Sequence, residues 1–174
     1  MDPMEIERKW AVSGWPEADL PLAFEYRMEQ GYVSVDPTVR IRKEERVGGA
    51  TDYVLCLKSH GRLARKEIEL SIPEEKFNEI RELIGIPLIR KVRRSYRLSD
   101  GRLLEVNHVD EGLRTEFWYA EVEYGSVEEA ENWNPADVGL GEYLVKDETY
   151  EPDSTMGAFW VQTRLNGAAG SSPD

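Results

Sequence analysis

The stretch MEIERKW, residues 4–10, sets Glu5, Glu7 and Lys9 at every second position, with Ile6, Arg8 and Trp10 between them. In a β-strand a period of two puts all three of the former on one face. A solvated outer face explains such a pattern in any single strand. The rest of the chain argues for the opposite, a charged face turned inward.

The same alternation returns in strand after strand. The spacing predicts strands at 4–12, 23–34, 38–46, 51–59, 64–72, 90–98, 102–109 and 115–124, with turns marked by Gly48-Gly49, His60-Gly61, Asp100-Gly101 and Glu111-Gly112. A helix is expected over 73–84, opened by Pro73 and carrying Phe77, Ile80, Leu83 and Ile84 at helical spacing. A second is expected over 126–131, behind the capping pattern Ser126-x-x-Glu129, and a third from about Ser154 to Leu165. The fold class this implies is mainly β: a closed antiparallel barrel of about eight strands, forming a tunnel with a charged lumen and flanked by a few helices. Residues 1–165 read as one domain and 166–174, NGAAGSSPD, as a disordered tail.

Bulk properties narrow the function. The net charge of −12 argues against a nucleic-acid partner, yet residues 1–97 hold 18 Lys+Arg against 17 Asp+Glu while 98–174 hold 4 against 17. Basic side chains are thus concentrated where an anion site could form. The single cysteine, Cys56, fits a reducing compartment. The N-terminal stretch carries no signal-like segment and no run approaches a membrane span, so a cytoplasmic protein with no membrane partner is expected. A homodimer is left open.

The signs on the alternating faces are ordered. Bases sit on the third, fourth and sixth strands (Arg40, Arg42, Lys58, Lys91, Arg93) and acids on the first, seventh and last (Glu5, Glu7, Glu105, Glu121, Glu123); the fifth mixes Arg65 with Glu67 and Glu69. Gathered around one cavity, the bases repel one another and call for an extended polyanion. The carboxylates reach such a polyanion only through a divalent metal bound by hard oxygen ligands. Glu5 and Glu7 then read as metal ligands, with Lys9 reaching toward the substrate.

These residues carry a family resemblance. Glu5-Ile6-Glu7-Arg8-Lys9 matches the ExExK signature of the CYTH superfamily, also called triphosphate tunnel metalloenzymes. Further matches follow in order: Gln30-Gly31-Tyr32, the VRIR with Arg40 and Arg42, the LKS with Lys58, the RxExE with Arg65, Glu67 and Glu69, the KxR of Lys91 and Arg93, and the AEVE of 120–123. The resemblance covers roughly 4–150. It implies a tunnel barrel acting on triphosphate compounds with Mg²⁺ or Mn²⁺. It further implies metal ligands at Glu5, Glu7, Glu121 and Glu123, and phosphate binding by Lys9, Arg40, Arg42, Lys58, Arg65, Lys91 and Arg93. Asn107 stands where the family usually carries Asp, which makes Glu105, on the same strand face, a candidate replacement ligand.

The activity expected is metal-dependent hydrolysis of a triphosphate compound, foremost inorganic triphosphate, a small-molecule substrate. A water would attack, oriented or deprotonated by Lys9 or Tyr32. An adenylyl cyclase or a nucleoside or thiamine triphosphatase on the same fold is the alternative, as is a noncatalytic binder of polyphosphate or nucleotide. Trp10, Trp118, Trp133 and Trp160 read as packing residues. His60 is expected in an exposed turn and His108 on the outer layer.

Overall fold

Inward-facing charge and outward-facing aliphatics alternate on eight strands that close on themselves. The computed structural model describes residues 4–167. Its strands are β1 Met4–Ala11, β2 Leu22–Val35, β3 Thr38–Arg46, β4 Thr51–Lys58, β5 Ala64–Ser71, β6 Ile89–Arg97, β7 Leu103–Val109 and β8 Phe117–Glu123, joined by a two-residue β9, Lys146–Asp147. The order is β5-β4-β3-β2-β6-β7-β8-β1, and pairing of β1 with β5 closes the ring. All pairings are antiparallel, and β1 is shared: its first residues pair with β5 (Glu5 opposite Arg65) and its later ones with β8 (Lys9 opposite Glu121). The strand carrying the acidic signature is therefore the seam of the barrel.

Outward side chains build the core beneath the helices. Ile6, Trp10, Leu104, Val106, Ala120 and Val122 pack against Ala130 of α2 (Val127–Asn132) and against Leu140 and Leu144. Arg8, outward from the seam, donates to the carbonyls of Ala130 (3.1 Å) and Trp133 (2.7 Å) and pairs with Asp147 at 2.9 Å. It thereby pins α2 and β9 to β1. Helix α1, Glu74–Ile84, buries Phe77 against Tyr53 at 5.2 Å between ring centroids and ends at Gly85, whose φ of 71° is the left-handed conformation that favours glycine. Gly31 lacks a side chain because Leu88 lies on it: a Cβ there would sit 2.3 Å from a Leu88 methyl.

Strand boundaries agree with those expected to within two residues, and α2 opens as its sequence implies, with Ser126 Oγ accepting from the Glu129 N–H at 3.1 Å. The third helix differs. It is α3, Met156–Trp160, which runs on into a π-helical turn over Val161–Leu165. β9 and a 3₁₀ turn over Pro135–Val138 were not foreseen, since neither carries enough residues to show a period. Of the expected tail, Asn166 and Gly167 form a bend and 168–174 lie outside the described residues. Among the described residues no helix is long and apolar enough to cross a membrane.

Helix α3 is laid across one end of the barrel, where Met156 and Trp160 pack with Tyr32, Ile89, Val109 and Tyr119. Its anchor is a buried fork: Arg164 grips Asp110 through two bonds of 2.6 and 2.9 Å, with the pair's side chains 4 % and 0 % exposed. Asp110→Ala leaves that guanidinium buried without its anion, and should cost about 3–5 kcal/mol of unfolding free energy. Urea denaturation measures it.

Candidate active site

A cavity of about 960 Å³ runs through the barrel, and every residue nominated from the sequence lines it: Glu5, Glu7, Lys9, Tyr32, Arg40, Arg42, Lys58, Arg65, Lys91, Arg93, Glu105, Glu121 and Glu123. Alternation on each strand aims them inward, and the register sets their neighbours. Glu121 of β8 lies between Lys9 of β1 and Glu105 of β7, while Arg93 of β6 lies opposite Asn107.

Most of the bases face an acid. Lys58 contacts Glu5 at 2.7 Å and Glu67 at 3.7 Å, Arg42 contacts Glu69 at 3.1 Å and also Glu44, and Arg93 contacts Glu105 at 2.9 Å and Glu121 at 3.9 Å. Arg65 lies more loosely, 3.8 Å from Glu5 and 3.9 Å from Glu7. Arg40, Lys91 and Lys9 stand apart: among the described residues none of them has a carboxylate within ion-pair distance. Arg40 and Lys91 are buried, and the Arg40 Nε has no hydrogen-bond partner. Lys91 reaches the Tyr119 hydroxyl at 2.8 Å, and Lys9 donates to the Ser154 carbonyl. Burial, reinforced by Arg93 and Arg40, pushes the Lys91 ammonium well below the usual lysine range. Burial lowers Lys9 too, against the pull of Glu121 and Glu7.

The carboxylates also crowd. Burial and the nearby Glu121 and Glu5 push Glu7 well above the usual carboxylate range. Burial alone would raise Glu121 likewise, but its hydrogen bond to Glu7 and the charges of Lys9, Arg93 and Lys91 hold it at about 2. The pair therefore favours one proton held between Glu7 and Glu121. The same holds beside them: burial raises Glu67 to about 8 with Glu69 as hydrogen-bond partner, whereas at Glu5 burial is outweighed by Lys58, Glu67 and Arg65, leaving about 2. Paired carboxylates that must share a proton are a donor set a divalent cation fits, since hard oxygen ligands and its charge replace the proton.

Three lumen residues were not assigned a role from the sequence. Glu67 and Glu69 form a second acidic group next to the buried Cys56, whose thiol is 3.8 Å from Glu67. Their signal was the RxExE spacing itself. Tyr119, 2 % exposed, shares the face of Glu121 and Glu123 at a spacing of two, and that alternation was its signal, masked because an aromatic next to a strand's apolar residues reads as core. Asn107 faces inward and is fully buried, with its Oδ1 accepting from Arg93 Nε at 3.0 Å. It holds that guanidinium as a neutral partner, and Glu105 carries the charge on this strand. His60 is exposed beside Asp36, and His108 stacks on Trp118 in the outer layer with ring centroids 3.8 Å apart, as expected for both.

Comparison with known proteins agrees with this geometry. The chain is 33 % identical over 147 residues to an inorganic triphosphatase of Nitrosomonas europaea, spanning 84 % of this chain and 93 % of that protein. The chain belongs to the triphosphate tunnel metalloenzyme family. A crystal structure of an inorganic triphosphatase superimposes with a TM-score of 0.57 at 25 % identity, covering 88 % of this chain and 92 % of that one. The barrel of a Hippeastrum protein named as an adenylyl cyclase, with a dominant triphosphatase activity, superimposes at 0.59 and 20 % identity, covering 91 % of this chain and 96 % of that one, and shares the fold. No family profile matches the chain.

The shared protons make stability depend on pH. Glu67, raised to about 8 in the fold from its ordinary 4.5, lends stability that is whole below pH 4.5 and is lost as pH rises toward 8. Glu5, depressed to about 2, lends stability that is whole above pH 4.5 and is lost as pH falls toward 2. In metal-free protein, Glu67→Gln puts a neutral hydrogen-bonding amide in place of the protonated carboxyl and removes the upper titration. Urea midpoints should therefore shift in the variant's favour between pH 4.5 and 8, and an offset constant with pH contradicts the shared proton.

Proposed function

We propose that this chain hydrolyses inorganic triphosphate in a metal-dependent reaction, releasing orthophosphate. The observation that carries the reading is the group of Arg40, Lys91 and Lys9, converging on the lumen with no carboxylate in direct ion-pair contact among the described residues. Cations drawn out of water without a direct ion pair are costly, and an anion of several charges offsets that cost. Arg42, Lys58, Arg65 and Arg93 extend the cationic wall beyond them, matching a phosphate chain rather than a single phosphate.

Glu5, Glu7, Glu121, Glu123 and Glu105 would hold the metal. Mg²⁺ or Mn²⁺ bound there supplies neutralisation of charge on the phosphate oxygens. The chain's own basic residues bind the phosphates and align the terminal phosphorus for in-line attack by water. As the new P–O bond forms, the bond to the leaving diphosphate breaks. The water's proton needs an acceptor in a cation-rich lumen, and a lysine serves only where its pKa is lowered. Lys9 meets that condition, and Lys91 meets it more fully, since Arg93 and Arg40 add to its burial. Tyr32, hydrogen-bonded by the Gln30 amide at 3.4 Å and adjoining Arg40, is suited to orienting phosphate or water.

Phosphate release from inorganic triphosphate, ATP and thiamine triphosphate, each with Mg²⁺ or Mn²⁺, tests the reading. Inorganic triphosphate should be the best substrate, and no release from any of the three leaves a noncatalytic binder. Glu7→Gln and Glu121→Gln remove ligand charge from the lumen without touching the outer core. Each should lower kcat by about 10²–10³-fold with circular dichroism unchanged, and full activity in both refutes the metal assignment.

A further inference from the structure

Lys9 and Lys91 come from different strands, and a lysine side chain has enough rotamer freedom that burial alone does not fix its amine. One residue touches both. Tyr119, on β8 and buried, puts its hydroxyl 2.8 Å from Lys91 Nζ and its ring face 4.2 Å from Lys9 Nζ, measured to the centroid. The ring is itself held: Phe117 stacks on it at 5.7 Å with planes 21° apart, and Val109 and Trp160 complete the cluster around it. A rigid aromatic with two rotatable bonds thus lies between two flexible amines.

We infer that Tyr119 is a positioning residue that orders Lys9 by its ring and Lys91 by its hydroxyl. The two contacts differ in kind, although Lys91 Nζ also lies 5.5 Å from the ring centroid. A cation over an aromatic face needs only the ring; the tether on Lys91 needs the oxygen. When Lys91 donates to that oxygen, the phenol keeps its own O–H for a lumen anion, and when Lys91 is neutral the phenol can donate to it. In either state Nζ stays at hydrogen-bond distance. The kinetic consequence rests on the hydrolase reading above; the ordering of the two lysines does not.

Tyr119→Phe and Tyr119→Leu separate the contacts. Phe keeps the ring and the packing and loses the tether, so kcat should fall by about 10- to 100-fold while KM stays within about twofold. Leu loses both contacts, and KM should rise as well. A second readout needs no turnover: in protein labelled with ¹³C at lysine Cε, the ring-current shift of Lys9 should persist in the Phe variant and vanish in the Leu variant. The Lys91 signal should move in both. Wild-type kcat in Tyr119→Phe, or lysine signals that stay put in both variants, overturns the assignment. If the parent protein releases no phosphate at all, the hydrolase reading fails on its own, and the lysine signals still decide whether Tyr119 orders the pair.

Discussion

Lys58, its side chain 3 % exposed, sits inside the barrel within 2.7 Å of Glu5 and 3.7 Å of Glu67, and much of the structure follows from that kind of contact. Removing one partner of a buried ion pair costs several kcal/mol, so inward charges on neighbouring strands are tolerated only as a matched set. For Glu5 and Glu7 the match to Lys58 and Arg65 exists only when the ring is closed. Glu5 belongs to β1, Lys58 to β4 and Glu67 to β5, and they meet because β1 leaves β8 to pair with β5. An open sheet would leave Glu5 and Glu7 at an edge. Closure and charge pairing are therefore one constraint seen at two scales, backbone register and side-chain electrostatics.

The matching is deliberately incomplete in two places, and both point to chemistry. Carboxylates are in excess where Glu7 meets Glu121 and Glu5 meets Glu67, so each pair favours holding a proton, which a bound metal ion would displace. Cations are in excess where Arg40, Lys91 and Lys9 gather beside Tyr32 and Tyr119. Helix α3, locked by the Arg164–Asp110 fork, supplies an apolar backing to this second region, and Ser154, just ahead of it in the chain, gives its carbonyl to Lys9. Strain of this electrostatic sort is relieved by a ligand carrying the missing charges.

The alternation that defines the barrel was legible because each strand is buried on one side by charge and on the other by aliphatics. A period of two then appears in residue types, and MEIERKW is its clearest case. Lumen residues were legible for the same reason: in a closed barrel one face per strand is interior, so naming Glu121 fixes Glu123 as well. What the sequence hid was of two kinds. β9, two residues long, depends on Arg8 reaching Asp147 across the chain, and no local pattern announces a tertiary contact of that length. The roles of Tyr119 and Asn107 were hidden because their work is done through neighbours, although Asn107 itself was marked out by the acid it replaces. Asn107 steadies Arg93 and Tyr119 touches two lysines, and neither partnership has a spacing along the chain.

The central claim is that the lumen is built for a chain of phosphates. The most direct measurement is thermal unfolding in the presence of inorganic triphosphate or orthophosphate at equal concentration and ionic strength, with Mg²⁺ present. A ligand that binds only the folded state stabilises it by about 2.7 kcal/mol at a hundredfold excess over its Kd. Because triphosphate alone spans the cations that lack a direct ion pair, its shift should far exceed that of orthophosphate. Equal shifts from the two anions would contradict the account, since the lumen would then answer to charge alone and not to a phosphate chain.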